Sequence, residues 1–313
     1  MSTPLNICIE DAPKERDGGH TAHPFWYSTV PDMNRRDFLK LTAAGAIGAT
    51  LPSCNNKWFN LVGSEEEKLW GLNVHPYGGS LDALQIQALH ELGVRRIRIT
   101  LGLGRDLAGP YLNAYPAEYL GIITDFNLGV PNAAAWPGQV REAVNRSPGV
   151  GVYQVLNEPD VFHGIRPEVY VNDFLRPAWE IIKEIRPSVP VVSAAPANTS
   201  GGRIYFFQMT EAGADRYCDF RAVHMYSTNP EVFLAGTDKP FIVTESGTRN
   251  RANHLSWWQN DMAHISKVLD TDLLYWYVLL DRPDDGLSLI SDRPGPGGAV
   301  QPVSDLYNYI REL

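Results

Sequence analysis

From about residue 68 to the C-terminus the chain alternates between two hydrophobic rhythms. Short runs rich in β-branched and aromatic residues predict strands over residues 69–75, 94–100, 120–126, 153–158, 190–195, 219–226, 240–245 and 273–280. Between most of them, apolar positions recur three and four residues apart and predict helices. In the first helix Leu81, Leu84, Ile86, Ala88, Leu89 and Leu92 share one stripe, with Ser80 as the expected cap and Gly93 as the stop. Further helices are expected over residues 140–145, 169–185, 204–212, 254–269 and 303–313, with a brief one at 231–234. Pro177 should kink or split the longest of them. Residues 101–118, rich in Gly, Pro, Ala and Tyr, read as a long loop with little helix. Strict alternation implies a parallel sheet, and eight units over roughly 245 residues is the size of a single-domain (β/α)8 TIM barrel. An open doubly wound sheet is the alternative, but no glycine-rich phosphate turn follows any strand.

Three strands carry polar residues where packing alone would not place them. In the stretch 94–100, Ile97 and Ile99 share one face while Arg96, Arg98 and Thr100 share the other. In a barrel that second face looks inward, where Arg98 would be costly without an anionic partner. Two further runs stop abruptly at a carboxylate: Tyr153-Gln154-Val155-Leu156-Asn157-Glu158-Pro159 and Pro240-Phe241-Ile242-Val243-Thr244-Glu245-Ser246-Gly247. Residues at C-terminal strand ends converge on one cleft of a barrel, so Glu158 on the fourth strand and Glu245 on the seventh should face each other there. The first strand also ends in polar residues, Asn73 and His75.

Composition narrows the partners. The chain has 313 residues, 44% hydrophobic, and a formal net charge of −9 without a basic block, so no nucleic-acid partner is expected. Eight Trp and fourteen Tyr supply flat amphipathic faces of the kind that stack on sugar rings. Cys8, Cys54 and Cys218 are too few and too scattered for a disulfide framework or a zinc site, and Cys218 reads as a small buried hydrophobe. No cofactor or metal is expected, the run Asp281-Arg282-Pro283-Asp284-Asp285 reads as a solvated loop, and a monomer is expected.

The N-terminal region has its own logic. Residues 33–40 are charged and contain the pair Arg35-Arg36 followed by Phe38-Leu39-Lys40, and residues 41–51 form an Ala/Gly-rich apolar run too short to span a bilayer. This resembles a twin-arginine export signal. Leu51-Pro52-Ser53-Cys54 resembles a bacterial lipoprotein box, which would place lipid on Cys54 and attach the protein to a membrane; the alternative is plain cleavage and release. Residues 1–32 are polar and aperiodic and do not fit in front of such a signal, so translation is expected to start at Met33, or that segment to be disordered. The expected organisation is thus a signal over 33–54, a tether over 55–67 and the barrel over 68–313, exported to the periplasm or held at a bacterial membrane.

The Asn157-Glu158-Pro159 and Thr244-Glu245-Ser246-Gly247 ends, in that strand order, resemble glycoside hydrolases of clan A, which includes family 5 cellulases and mannanases. Arg98 stands at the clan's second-strand arginine, His224 and Tyr226 match its His-x-Tyr pattern on strand six, and Trp276 matches the aromatic of strand eight. The resemblance implies a retaining double displacement with Glu158 as acid/base and Glu245 as nucleophile. It implies that Asn157 bonds the sugar 2-hydroxyl, that Arg98 and Tyr226 hold Glu245 ionised, that His224 lines the sugar site and that Trp276 is its floor. Trp136, Trp257 and Trp258 could extend the cleft, although adjacent tryptophans more often pack. The third strand's end, Thr124-Asp125-Phe126-Asn127, lacks the histidine that family 5 members often carry, which leaves the family within the clan open.

Taken by itself, Asn-Glu-Pro could instead cap a helix. Two functions therefore compete: hydrolysis of a β-linked glycan, and a barrel that binds carbohydrate without turnover. Two intact carboxylates favour the enzyme.

Overall fold

The computed structural model describes residues 70–124 and 129–313. Eight parallel strands run through them: β1 (Gly71–Val74), β2 (Arg96–Thr100), β3 (Glu118–Ile123), β4 (Val150–Val155), β5 (Val191–Val192), β6 (Arg221–Met225), β7 (Phe241–Ser246) and β8 (Leu274–Trp276). They follow the order β5-β4-β3-β2-β1-β8-β7-β6, with β1 paired to both β2 and β8. A single parallel bridge between Val192 and Phe220 joins the two ends of that order, and the Ser193 N–H donates to the Phe220 carbonyl at 3.1 Å. The expected (β/α)8 barrel is the observed fold.

Helices cover the outside: α1 (Gly79–Leu92), α2 (Gly109–Ala114), α3 (Trp136–Arg146), α4 (Arg176–Ile185), α5 (Ser200–Glu211), α6 (Met262–Leu269) and α7 (Asp305–Glu312). A large apolar layer fills the space between strands and helices, while Leu120, Ile122, Val192, Ala195, Ala222, Ile242 and Tyr275 form a second cluster. That second set comes from alternate strand positions and fills the barrel interior, as side-chain alternation requires.

Several local expectations change. Ser80 lies inside α1, and Gly78 precedes the helix; the Asp82 carboxylate ties the preceding turn to it by accepting the N–H of Tyr77 at 2.8 Å and of Gly78 at 3.0 Å. Gly93 does close α1, at φ 64°, a left-handed conformation that glycine adopts without steric cost. Residues 101–118 contain α2 as well as loop, and α3 starts at Trp136 itself. Pro177 sits in the first turn of α4, where no N–H is needed, and the helical path before it widens into an i→i+5 turn over Tyr170–Leu175. Strand β5 is shorter than expected because the N–H of Ala194 leaves the ladder and donates to the Tyr170 hydroxyl at 2.6 Å. The export signal, Cys54, and residues 125–127 at the third strand's end lie outside the described residues.

Candidate active site

At the C-terminal mouth of the barrel lies a cleft of about 880 Å³, and both Glu158 and Glu245 line it. Simple strand alternation would not aim them there. Between β6 and β7 the register jumps, so that Val223 faces Val243 but His224 faces Glu245. Thr244 is the extra residue of a bulge, and the bulge turns Glu245 inward. Past the end of β4, Leu156 and Glu158 take positive φ values of 62° and 39°. Left-handed backbone at non-glycine residues is unfavourable and is retained at functional sites. Here it lets the consecutive residues Asn157 and Glu158 both reach the cleft. The Asp160 carboxylate fastens the same loop by accepting the Ala197 N–H at 3.1 and 3.2 Å, and the Glu158 N–H donates to the Ala195 carbonyl at 3.0 Å.

Arg98 organises the floor. Its side chain is 1% exposed, and it donates from Nη1 to Glu245 Oε1 at 2.8 Å and Asn73 Oδ1 at 2.6 Å. From Nη2 it donates to Asn157 Oδ1 at 2.6 Å, and from Nε to Gln154 Oε1 at 2.9 Å. Asn73 is fixed in turn by donating to the carbonyls of Thr244 and Trp276. The Tyr226 hydroxyl donates to the other Glu245 oxygen at 2.8 Å. Burial alone would raise the Glu245 pKa, but facing His224, the Arg98 guanidinium and the Tyr226 hydroxyl outweigh it and hold the carboxyl below its ordinary value. Burial and the Glu245 charge push the Tyr226 hydroxyl well up, so it remains a donor.

His224 stands between the two carboxylates. Its Nδ1 lies 2.7 Å from Glu158 Oε1, a contact that requires one shared proton. Its Nε2 lies 3.3 Å from Glu245 Oε1, without hydrogen-bond geometry. One carboxylate oxygen each from Glu158 and Glu245 and one ring nitrogen of His224 lie within 4.8 Å of one another. Such a set could ligate a cation, but Arg98 already neutralises Glu245 and Tyr226 holds its second oxygen. The arrangement is one carboxylate kept charged and a second, 16% exposed, beside a proton-sharing imidazole.

The residues singled out from sequence sort into three groups. Asn157, Glu158, Arg98, Tyr226, Glu245 and His75 line the cleft, and His224 joins the two glutamates. Asn73 lies beneath Arg98 as its brace. Trp136 and Trp276 are elsewhere: Trp136 is fully buried against Phe174, whose carbonyl takes its indole N–H at 2.8 Å, and Trp276 packs outward onto His254 and donates to the Leu287 carbonyl. The reason is alternation: Tyr275 points into the barrel, Trp276 out of it, and Tyr277 back into the cleft. Tyr277 thus takes the aromatic position expected of Trp276. Trp258 packs on Trp70, and Trp257 donates to the Ser246 hydroxyl. The run 281–285 is not simply solvated, since Asp281, Arg282 and Asp285 form a wall of the cleft. Gln154 and Asp160 were also missed; Gln154, a lone amide in an apolar strand, carried the same inward-polar signal as Arg98.

Residues 32–52 match the twin-arginine translocation pathway signal sequence, which indicates export across a bacterial membrane. No curated protein matches the chain in sequence. Solved structures share the fold. A family 39 glycoside hydrolase from the gut symbiont Bacteroides cellulosilyticus is 14% identical with a TM-score of 0.55, over 79% of this chain and 64% of that one. The catalytic domain of the GH30 xylanase C from Talaromyces cellulolyticus is 14% identical with a TM-score of 0.56, over 77% and 74%. The β-glucuronidase 2 of Bacteroides uniformis is 17% identical with a TM-score of 0.53, over 78% of this chain and 34% of that one. The chain therefore spans less than two thirds of the first and about one third of the last. At these identities the likeness is one of fold: this chain shares the TIM barrel of glycoside hydrolases.

Proposed function

We propose that the protein is an exported, retaining O-glycoside hydrolase acting on a β-linked oligo- or polysaccharide, with Glu158 as acid/base and Glu245 as nucleophile. One observation carries the reading: an oxygen of Glu158 and an oxygen of Glu245 lie within 4.8 Å of each other, and the two carboxylates have different partners, Arg98 and Tyr226 on Glu245 and His224 on Glu158. Retaining enzymes keep the pair about 5–5.5 Å apart, whereas inverting enzymes need about 6.5–9.5 Å to admit a water. The shared barrel with glycosidases from three families supports the same conclusion.

Glu158 gives its proton to the glycosidic oxygen while a Glu245 oxygen attacks the anomeric carbon, forming the glycosyl-enzyme and releasing the aglycone. Glu158, now ionised, takes a proton from water, whose oxygen attacks the anomeric carbon from the vacated side and frees Glu245. Arg98 and Tyr226 keep the nucleophile ionised and fixed at both oxygens. With its Oδ1 committed to Arg98, Asn157 presents its amide nitrogen to the sugar 2-hydroxyl. Tyr277 offers the sugar a ring face. Cys54 follows the signal match by two residues and is proposed as the lipidated first residue of the mature chain.

A reducing-sugar screen over a polysaccharide panel identifies the substrate, and proton NMR of the first product reads the anomer. Retention is expected; an inverted first product overturns the double displacement. Glu245→Gln should abolish turnover, and azide should rescue Glu245→Gly.

A further inference from the structure

The wall opposite the acid/base loop carries a polar cluster that the catalytic pair does not use. The Tyr77 hydroxyl donates to Asp281 Oδ1 at 3.1 Å, and His75 Nδ1 lies 3.7 Å from the same oxygen. The Arg282 N–H also donates to Asp281, at 2.8 Å, and the Asp281 N–H donates to Ser288 Oγ. An unbroken arc of rings links this cluster to the catalytic centre. Tyr226, bonded to Glu245, meets Tyr277 edge-on at 6.3 Å, and Tyr277 meets His75 at 5.2 Å. His75 and Asp281 are 26% and 19% exposed, so both sit inside the cleft rather than on its rim. Asp281 follows β8, which neighbours the nucleophile strand β7, and His75 follows β1 on the other side of β8, while the acid/base enters from β4 across the cleft. A glycosidic bond placed between Glu158 and Glu245 therefore puts the sugar that becomes covalently attached beside Asp281.

Charge then decides which sugar fits. Asp281 and Glu245 are the inner anions on this side, and the inner cation, Arg98, already donates from all three of its nitrogens, one bond going to Glu245 itself. Burial opposes ionisation of Asp281, but His75, the Arg282 N–H and the Tyr77 hydroxyl prevail and hold its carboxyl below the usual range. Two other arginines line the cleft, but at its rim. Arg249 and Arg282 are 77% and 60% exposed and lie 3.3 Å from Asp285 and 3.4 Å from Asp292. Exposed pairs of this kind contribute little to binding a third charge.

We propose that Asp281, with His75 and Tyr77, forms the subsite for the glycone, that it takes a neutral sugar by accepting its hydroxyl protons, and that it rejects a uronic acid. The inference rests on the hydrolase reading and narrows its substrate class. A carboxylate is a strong acceptor for sugar hydroxyls. Against a second carboxylate at contact distance in a half-buried site, the same charge disfavours binding by about 100-fold.

The test uses the whole protein, with 4-nitrophenyl β-glycosides of neutral sugars and of uronic acids, and with calorimetric titration of the free sugars. At least one neutral glycoside should be cleaved with kcat/KM about 100-fold or more above any uronide. Asp281→Asn should lower that kcat/KM about tenfold or more, mainly through KM, and shrink the preference against uronides. A uronide cleaved as well as or better than the neutral sugars overturns the subsite while leaving the hydrolase reading intact, most clearly if Arg249→Gln or Arg282→Gln abolishes it. Binding of a neutral sugar that weakens in Asp281→Asn, without cleavage of any glycoside, upholds the subsite and removes the hydrolase reading. Neither cleavage nor binding overturns both.

Discussion

Replacing Arg98 with Met keeps most of the side-chain volume and removes the charge that the site is built on. The guanidinium is 1% exposed and bonds four acceptors, one of them the Glu245 carboxylate. Removing one partner of a buried ion pair costs about 3–5 kcal/mol, because an uncompensated charge is left behind. The three amide oxygens left without Arg98 add to this, but the cleft admits water, so the total is expected near the upper end of that range. For a domain this size about 1 kcal/mol shifts Tm by roughly 2–4 °C, giving a drop of about 10–20 °C near neutral pH.

The pH dependence distinguishes this account from simple loss of packing. In the native protein the Glu245 pKa lies below the ordinary 4.5, so its ionised form stabilises the fold above that pH, and the contribution disappears as pH falls through the folded-state value. In Arg98→Met the burial that opposes ionisation loses a main counterweight, and the Glu245 pKa should move up. Its charge then destabilises the fold at neutral pH but not in acid, where the group is neutral. Thermal unfolding by circular dichroism should therefore show a Tm difference that narrows as pH drops from about 7 toward 4. Combining Arg98→Met with Glu245→Gln should cost clearly less than the sum of the two single changes. A Tm difference constant across that pH range, with additive single effects, would refute the role assigned to the ion pair.

Three other outcomes follow from the geometry. Tyr226→Phe removes the second hydrogen bond to Glu245, so the acid limb of the kcat/KM profile should move to higher pH, with activity down by about ten- to a hundredfold; an unmoved limb contradicts the bond's role. Tyr277→Ala should raise KM several-fold on the substrate found by screening, whereas Trp276→Phe should act on Tm, since only Tyr277 faces the cleft. Gly202→Ala would put a Cβ 1.8 Å from the Ala197 carbonyl oxygen, so it should lower Tm by at least several degrees and disturb the Ala197–Thr199 wall; an unchanged melting curve would contradict the close approach.

The barrel was legible because its strands announce themselves by apolar runs and its helices by periodicity, and because eight repeats of that pair have one common closed solution. The glutamate ends were legible for a related reason, since a carboxylate closing an apolar strand has no packing explanation. Other features depended on single-residue parity. The resemblance puts Trp276 at the strand-eight aromatic, yet a period of two places it on the outer face and its neighbour Tyr277 within. The Thr244 bulge and the left-handed Leu156 and Glu158 leave no signature in hydropathy, although they aim both carboxylates. Asp281 looked like one member of a solvated charge run because long-range partners such as Tyr77, 204 residues away, are set by barrel closure and not by local sequence.

The closure between β5 and β6 gives the barrel a direction of compliance. Elsewhere neighbouring strands share two or more ladder positions, whereas here the two-residue β5 meets the residue before β6 through the single Val192–Phe220 bridge. Opening free energy is lowest where pairing is sparsest, so amide exchange should enter the sheet along this line first. The line runs beside Ala195, whose carbonyl holds the Glu158 N–H, and Ala197, whose N–H is held by Asp160. Glu245, by contrast, stands on the six-residue β7, paired on both sides. The two carboxylates thus belong to parts of unequal stiffness: Glu245, the proposed nucleophile, to a fixed frame, and Glu158, the proposed proton donor, to the edge that yields more readily.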